Sequence, residues 1–197
     1  MMKTVVGSFD TFQDASRAAD ELKTAGFTDT EVNIISNNVR AKGEGKPEAT
    51  TSDSSNAATG AIAGGAIGGA AGAAAALMGL AIPGIGPILA AGPIVAALAG
   101  AGAGAVAGGL IGSLTELGIS DEDAKNYAEA VRRGGALLVV RTEDFKADRA
   151  EEIIRGQGAF DIEERVEQWR ESGWEGFNPR ARPYSLDEIE RERAQYR

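Results

Sequence analysis

The chain has 197 residues and a formal net charge of −9, and it contains neither cysteine nor histidine. The acidic balance argues against nucleic-acid binding, which rewards a basic surface. The missing residue types exclude thiolate nucleophiles, disulfides, Cys/His zinc sites and histidine general bases. The first ten residues lack the pattern of a signal peptide, so we expect the charged parts of the chain to be cytoplasmic.

The charge is distributed very unevenly. Residues 1–56 hold six basic and nine acidic side chains, residues 57–115 hold none, and residues 116–197 hold 14 basic and 20 acidic ones. Two polar ends therefore flank one uncharged middle.

The N-terminal end has the pattern of one βαβ unit over residues 1–36. We predict a strand over residues 3–9, then a helix with Thr11 as its N-cap and Asp14 three residues later. A second strand is predicted over residues 31–36, where Val32 and Ile34 alternate with polar neighbours. Residues 37–56 are polar and are predicted to be a linker.

Glycines in the uncharged segment fall at every fourth position in two runs. A spacing of four aligns residues along one side of an α-helix, and bare glycine faces let two helices approach closely, as in membrane helix packing. We therefore predict two helices, over residues 57–82 and 94–114. The predicted helix-packing and oligomerisation residues are Gly60, Gly64, Gly68, Gly72, Gly100, Gly104, Gly108 and Gly112.

A Pro/Gly cluster separates the two predicted helices. Such a cluster cannot continue a helix, so the chain is expected to reverse there and form a helical hairpin over residues 57–115. Each helix is long enough for a hydrocarbon core of about 30 Å. The 16 glycines and 21 alanines of the hairpin make insertion of one copy weak, which favours a homo-oligomer. The predicted turn residues are Pro83, Gly84, Gly86 and Pro87.

Three interpretations of this segment stay open. The first is a hairpin in or at the inner membrane, with the flanking basic residues keeping the polar domains in the cytoplasm. The second is a soluble cytoplasmic homo-oligomer, a particle or filament, with the hairpins buried in its core. The third is a low-complexity Gly/Ala linker, although a linker would not be expected to place glycines at every fourth residue on both sides of a turn.

Residues 116–162 resemble the N-terminal unit in pattern. Ser120 is predicted to cap a helix, with Asp123 three residues later, and an apolar strand follows over residues 136–141. A further helix begins at Asp144, and a short last strand is predicted over residues 160–162. The repeated βαβ pattern predicts an α+β fold, a ferredoxin-like domain (split βαβ plus αβαβ) interrupted by the hairpin.

The tail, residues 163–197, combines aromatic residues with Gly, Pro, Glu and Arg. Ser185 and Glu188 form a capping box for a terminal helix. An extended and helical tail of this kind is expected to dock on its own domain, on a neighbouring copy, or at a membrane interface, where Trp and Tyr are favoured.

No residues converge on a catalytic pocket, so we expect no cofactor or metal site, and no small-molecule substrate is identified. An enzyme or small-ligand sensor that uses the ferredoxin-like face is the third class of function that stays open. The glycines at 102 and 104 match a dinucleotide fingerprint only superficially, because no strand precedes them. Two carboxylate clusters are better explained as helix starts and solvated faces than as cation sites. Their members are Asp121, Glu122 and Asp123, and Glu163, Glu164 and Glu167.

Glycine runs flank residues 82–93, and the predicted apolar strand follows the stretch from Gly118 to Tyr127 and Gly134. Both features resemble the bacterial general stress protein or heat- or low-temperature-induced protein family. The resemblance covers residues 3–162. It implies a stress-response role, a glycine-zipper segment for membrane association or assembly, and no enzyme activity. We therefore expect a non-enzymatic protein whose partners are itself and lipid membrane, and which scaffolds or stabilises membrane.

Overall fold

The computed structural model describes residues 1–37, 78–82, 86–91, 106–182 and 184–196. The described strands are β1 (Met2–Phe9), β2 (Val32–Asn37), β3 (Met78–Ile82), β4 (Gly86–Ala91) and β5 (Ala136–Glu143). The described helices are α1 (Phe12–Thr24), α2 (Val106–Glu116), α3 (Asp121–Arg132), α4 (Asp144–Gly156), α5 (Ile162–Glu171) and α6 (Leu186–Gln195).

The strands form an antiparallel sheet in the order β1-β5-β2-β4-β3. In this register Val140 of β5 lies opposite Val5 on one side and Val32 on the other. Residues 137–140 of β5 are fully buried, because helices cover both faces of the sheet. This explains why the sequence of β5 is a continuous apolar run and does not alternate between apolar and polar residues.

Each face of the sheet has its own apolar core. On one face, α1 and α4 pack over Phe9, Leu138 and Val140. On the other face, α2 and α3 pack over Ile35, Leu137 and Val139. The described structure is therefore a mixed α/β domain with an antiparallel sheet between two helical layers.

The starts of α1, α3 and α6 follow the sequence prediction. The side chains of Thr11 and Ser120 accept hydrogen bonds from the backbone N–H groups of Asp14 and Asp123, three residues later in each case. Ser185 and Glu188 make the predicted capping box of α6. These caps satisfy helix N–H groups that have no partner within the helix.

The prediction that residues 78–82 end a long helix is wrong, because they form β3. The chain does reverse between Ile82 and Gly86, which lie opposite each other, but it reverses as a β-hairpin rather than a helical one. The sequence has aliphatic residues at 78, 80 and 82 with Gly or Ala between them, which is the two-residue period of a strand. Pairing of β4 with β2 then extends the sheet.

Two further boundaries differ from prediction. Asn37, placed in the linker, is the last residue of β2, and its N–H donates to the carbonyl of Gly135. The predicted last strand over residues 160–162 is reduced to an isolated antiparallel bridge between Ser8 and Phe160. Ile162 instead begins α5, because the Asp161 side chain accepts from the N–H groups of Glu163 and Glu164 and starts a helix there.

Candidate binding cleft at the sheet edge

β1 lies at one end of the sheet, so only one of its two edges pairs with β5. Along a strand, backbone hydrogen-bonding groups point alternately to the two edges. The carbonyl of Met1 accepts from Asp144 on the β5 side, whereas the carbonyl of Ser8 accepts from Phe160 on the outer side. The backbone N–H and C=O groups of Thr4 and Val6 therefore point to the outer edge, away from β5.

A cleft of about 560 Å³ runs along this outer edge, and we name it the β1-edge cleft. Its floor is the segment of β1 from residue 3 to residue 8. Ile154 of α4 lines it from one face of the sheet, and Ile119 and Tyr127 line it from the other. A volume in this range is typical of ligand pockets. The remaining lining residues are Glu151, Arg155, Ala159, Phe160, Asp161, Ile162 and Glu163.

Ser8 gives the cleft a polar group without a protein partner. Its side chain is 2 % exposed, and its Oγ makes no hydrogen bond to any residue that the structure describes. Leaving a buried hydroxyl unsatisfied costs about 1–3 kcal/mol.

Tyr127 supplies a second hydroxyl to the cleft. Burial, together with the carboxylates of Asp123, Asp161 and Glu163, raises the pKa of the Tyr127 phenol to about 12. The phenol therefore stays protonated at neutral pH and can donate a hydrogen bond.

A second cluster of charged and aromatic side chains attaches the tail to the domain. Glu129 of α3 is fully buried and accepts from Arg132 Nε at 2.8 Å and from Arg133 Nε at 2.7 Å. The Arg133 guanidinium lies 4.6 Å from the ring centroid of Trp169 and donates to Glu192 of α6 at 2.6 Å. The described tail thus docks on its own domain, which is one of the three expected places.

The packing of α6 explains a glycine at the end of α3. Gly134 has a φ of +99°, and a Cβ added there would clash with the side chain of Ile189, which is 3 % exposed. The carbonyl of Gly134 accepts from Arg193 at 2.6 Å. Because these ionic groups bind one another, we interpret the cluster as structural.

Acid should destabilise the first turn of α6. A hydrogen bond from Arg182, then those from Ser185, lower the pKa of Glu188 to about 2 from its ordinary 4.5. A carboxyl group with a lowered folded-state pKa stabilises the fold above the unfolded value, and this contribution is lost as the pH falls through the folded value. We expect the protection factor of the α6 amides, which is the intrinsic exchange rate at each pH divided by the observed rate, to fall between pH 4.5 and 2 relative to that of amides in the core. Hydrogen exchange followed by mass spectrometry measures it.

The Glu188→Gln variant should lose part of this pH dependence, and the matched variant Glu175→Gln, at an exposed tail position, should keep all of it. Equal acid dependence in the two variants would contradict this role of Glu188.

Most of the predicted glycine contacts lie outside the described residues: Gly60, Gly64, Gly68, Gly72, Gly100 and Gly104, with the turn residues Pro83 and Gly84. Gly86 and Pro87 are the first residues of β4, and Gly108 and Gly112 lie in α2. No described atom lies within 4 Å of a Cβ added at Gly112. The structure therefore brings no described partner to this glycine.

The carboxylate clusters lie where helices begin. Asp121, Glu122 and Asp123 occupy the first turn of α3, and Glu163 and Glu164 that of α5. Within the described ranges, no acidic group has the arrangement of a metal site. Over those same ranges, no helix has both the length and the apolar character that crossing a bilayer requires.

Sequence reasoning missed both α5 and the cleft. The signal for α5 was present, since Asp161 is a good N-cap, acidic residues follow it, and Val166 and Trp169 lie three apart. The cleft had no signal of its own, because it arises where a strand is absent. Comparison of the chain with family models, curated proteins and solved structures finds no match.

Proposed function

We propose that this is a non-enzymatic, self-assembling protein whose copies associate through the glycine face of its uncharged segment. The observation that carries the proposal is the two-sided character of α2. Leu110 and Leu114 are fully buried against the domain, while Gly112 faces open space among the described residues. Positions 108 and 112 lie on the side of the helix opposite residues 110 and 114, so α2 has one face anchored and one available.

The strand order supports a ferredoxin-like core for the polar domain. β1, α1 and β2 form one unit, and β5, α4 and the Ser8–Phe160 bridge form the second, with β5 inserted between β1 and β2. The helices α1 and α4 share one face of the sheet, as this fold requires. In this interpretation α2, α3 and the β3–β4 hairpin belong to an insertion between the two units.

For the location of the assembly, β3 and β4 favour the soluble alternative over the membrane hairpin. They extend the sheet of the polar domain, and an open sheet edge is not tolerated in the hydrocarbon region of a bilayer. The role we propose is a bacterial stress-response scaffold, on the resemblance given above, as a particle or filament. Association with the inner membrane is the second candidate, and carbonate-resistant pelleting of the protein with membranes would favour it.

The substitution Gly112→Leu tests the glycine face. Open space around Gly112 means that the side chain should not disturb the described fold, and replacing a mid-helix glycine favours the helix by up to about 1 kcal/mol. We expect the oligomer seen by light scattering to dissociate while the circular dichroism spectrum is retained. Gly64→Leu and Gly104→Leu, at the other predicted contacts, should act in the same direction.

The matched control is Gly156→Leu, at the end of α4, where no described atom lies within 4 Å of the added Cβ and no predicted contact exists. An oligomer of unchanged mass in Gly112→Leu, Gly64→Leu and Gly104→Leu would overturn the proposal.

A further inference from the structure

The outer edge of β1, where no described strand pairs with Thr4 and Val6, has a counterpart at the other end of the same sheet. β3 is the terminal strand there and pairs on one side with β4. In the part of the chain that the structure describes, no strand pairs with its other side. A sheet with two unpaired edges is a template for pairing between copies.

We propose that β3 of one copy inserts along β1 of the next copy, as an added strand in the β1-edge cleft. This inference rests on the proposed self-assembly, but it adds a contact that is separate from the glycine face of α2. The backbone N–H and C=O groups of Thr4 and Val6 would bind the incoming strand, as in other cases of strand addition.

The shape of the cleft favours a single strand as the occupant. α4 packs over β1 on one face, and Ile119 and Tyr127 line the other face. As the terminal strand of its sheet, β3 can enter between these walls by its outer edge.

The chemistry of β3 fits the cleft. Residues 78–82 carry no charge and no proline, so β3 lacks the residues that usually prevent an edge strand from pairing. Every copy carries a net charge of −9, and an uncharged contact strand adds no charge of its own to the repulsion between copies. Ile119 and Ile154 offer apolar surface to such a strand.

Joining β3 to β1 is a head-to-tail contact, because two different surfaces meet. Contacts of this class close into rings or extend as filaments. The inference thus accounts for two features of one edge, the backbone groups of Thr4 and Val6 that point outward and the cleft beside them.

Residue-resolved amide exchange on the full chain tests the contact, with an internal control in the same strand. The N–H groups of Val5 and Gly7 point toward β5 and should exchange slowly at every protein concentration. Those of Thr4 and Val6 point outward, so they should exchange fast in dilute protein and slow by on the order of tenfold or more as the protein assembles. Exchange at Thr4 and Val6 that stays fast in the assembled protein would overturn the inference.

Cross-linking identifies the occupant, since the natural chain contains no cysteine. Lys3→Cys protein is mixed with differently tagged Ala81→Cys or Gly79→Cys protein and oxidised. We expect mixed disulfide dimers in excess over those formed with Arg17→Cys, whose site is on the exposed side of α1. Equal yields with Arg17→Cys would exclude β3 as the strand that binds the cleft.

Failure of this inference can be told apart from failure of the proposed function. If Gly112→Leu dissociates the oligomer but Thr4 and Val6 exchange fast in the assembled natural protein, the glycine face stands and strand insertion is overturned. If the natural protein is monomeric at every concentration, both are overturned. If protection at Thr4 and Val6 still rises with concentration in Gly112→Leu, strand insertion is supported as an independent contact.

Discussion

The Glu129→Ala variant should lose about 3–5 kcal/mol of unfolding free energy, the cost of removing one partner from a buried ion pair. The carboxylate of Glu129 is fully buried, and the guanidinium groups that it binds, those of Arg132 and Arg133, are each less than a tenth exposed. Removing it leaves Arg132 with the carbonyl of Arg182 and the ring of Tyr184. Urea denaturation followed by circular dichroism measures the loss.

The matched control is Glu152→Ala, which breaks the exposed pair that Glu152 forms with Arg149 at 2.6 Å. The two pairs have similar lengths and differ in burial, and an exposed pair contributes about 0–1 kcal/mol. Equal losses in the two variants would show that Glu129 is not buried between the two arginines in solution.

The Trp169→Ala variant should by itself lose a comparable amount of unfolding free energy, about 3–5 kcal/mol, as expected for a buried tryptophan. The Trp169 ring is 1 % exposed and packs on Ala130 and Val166. It also makes an edge contact with Trp174, with 5.5 Å between ring centroids. Loss of this ring removes the surface on which Arg133 lies, so α5 and α6 should separate from the domain early in a urea titration.

The control is the Trp174→Phe variant, in which the half-buried Trp174 is replaced. It should lose less unfolding free energy than Trp169→Ala, because the aromatic contact with Trp169 is retained. It also leaves Trp169 as the single tryptophan of the chain, and its emission should be that of a buried indole. Red-shifted emission from Trp174→Phe protein would show that the tail is not docked as described.

The two variants share Arg133, so their effects are not expected to add. Residues in one network show interaction energies of about 0.5–3 kcal/mol in double-mutant cycles. A double variant that loses clearly less than the sum of the single losses would place Glu129 and Trp169 in one cooperative attachment of the tail.

Local features of the sequence determined much of the polar domain. The caps at Thr11, Ser120 and Ser185 depend on a side chain and an N–H group three residues apart, so they can be predicted without knowledge of the fold. The apolar run in β5 and the buried positions of α4, residues 147, 150, 153 and 154, follow from spacing along a single element in the same way. The uncharged segment and its glycine register are also properties of the sequence alone.

Tertiary structure decided what the sequence left open. Residues 78–82 are compatible with a helix or a strand, and pairing with β4 and through it with β2 selected the strand. Beyond the bridge between Ser8 and Phe160, Asp161 starts α5 where the last strand was predicted. The outer edge of β1 at Thr4 and Val6 therefore has no described strand beside it, and the cleft lies there. The docking of the tail depends on Glu129, Trp169 and Glu192, which are far apart in sequence. Contacts between distant segments have no local signature, and for that reason the cleft and the tail attachment emerged only from the folded chain.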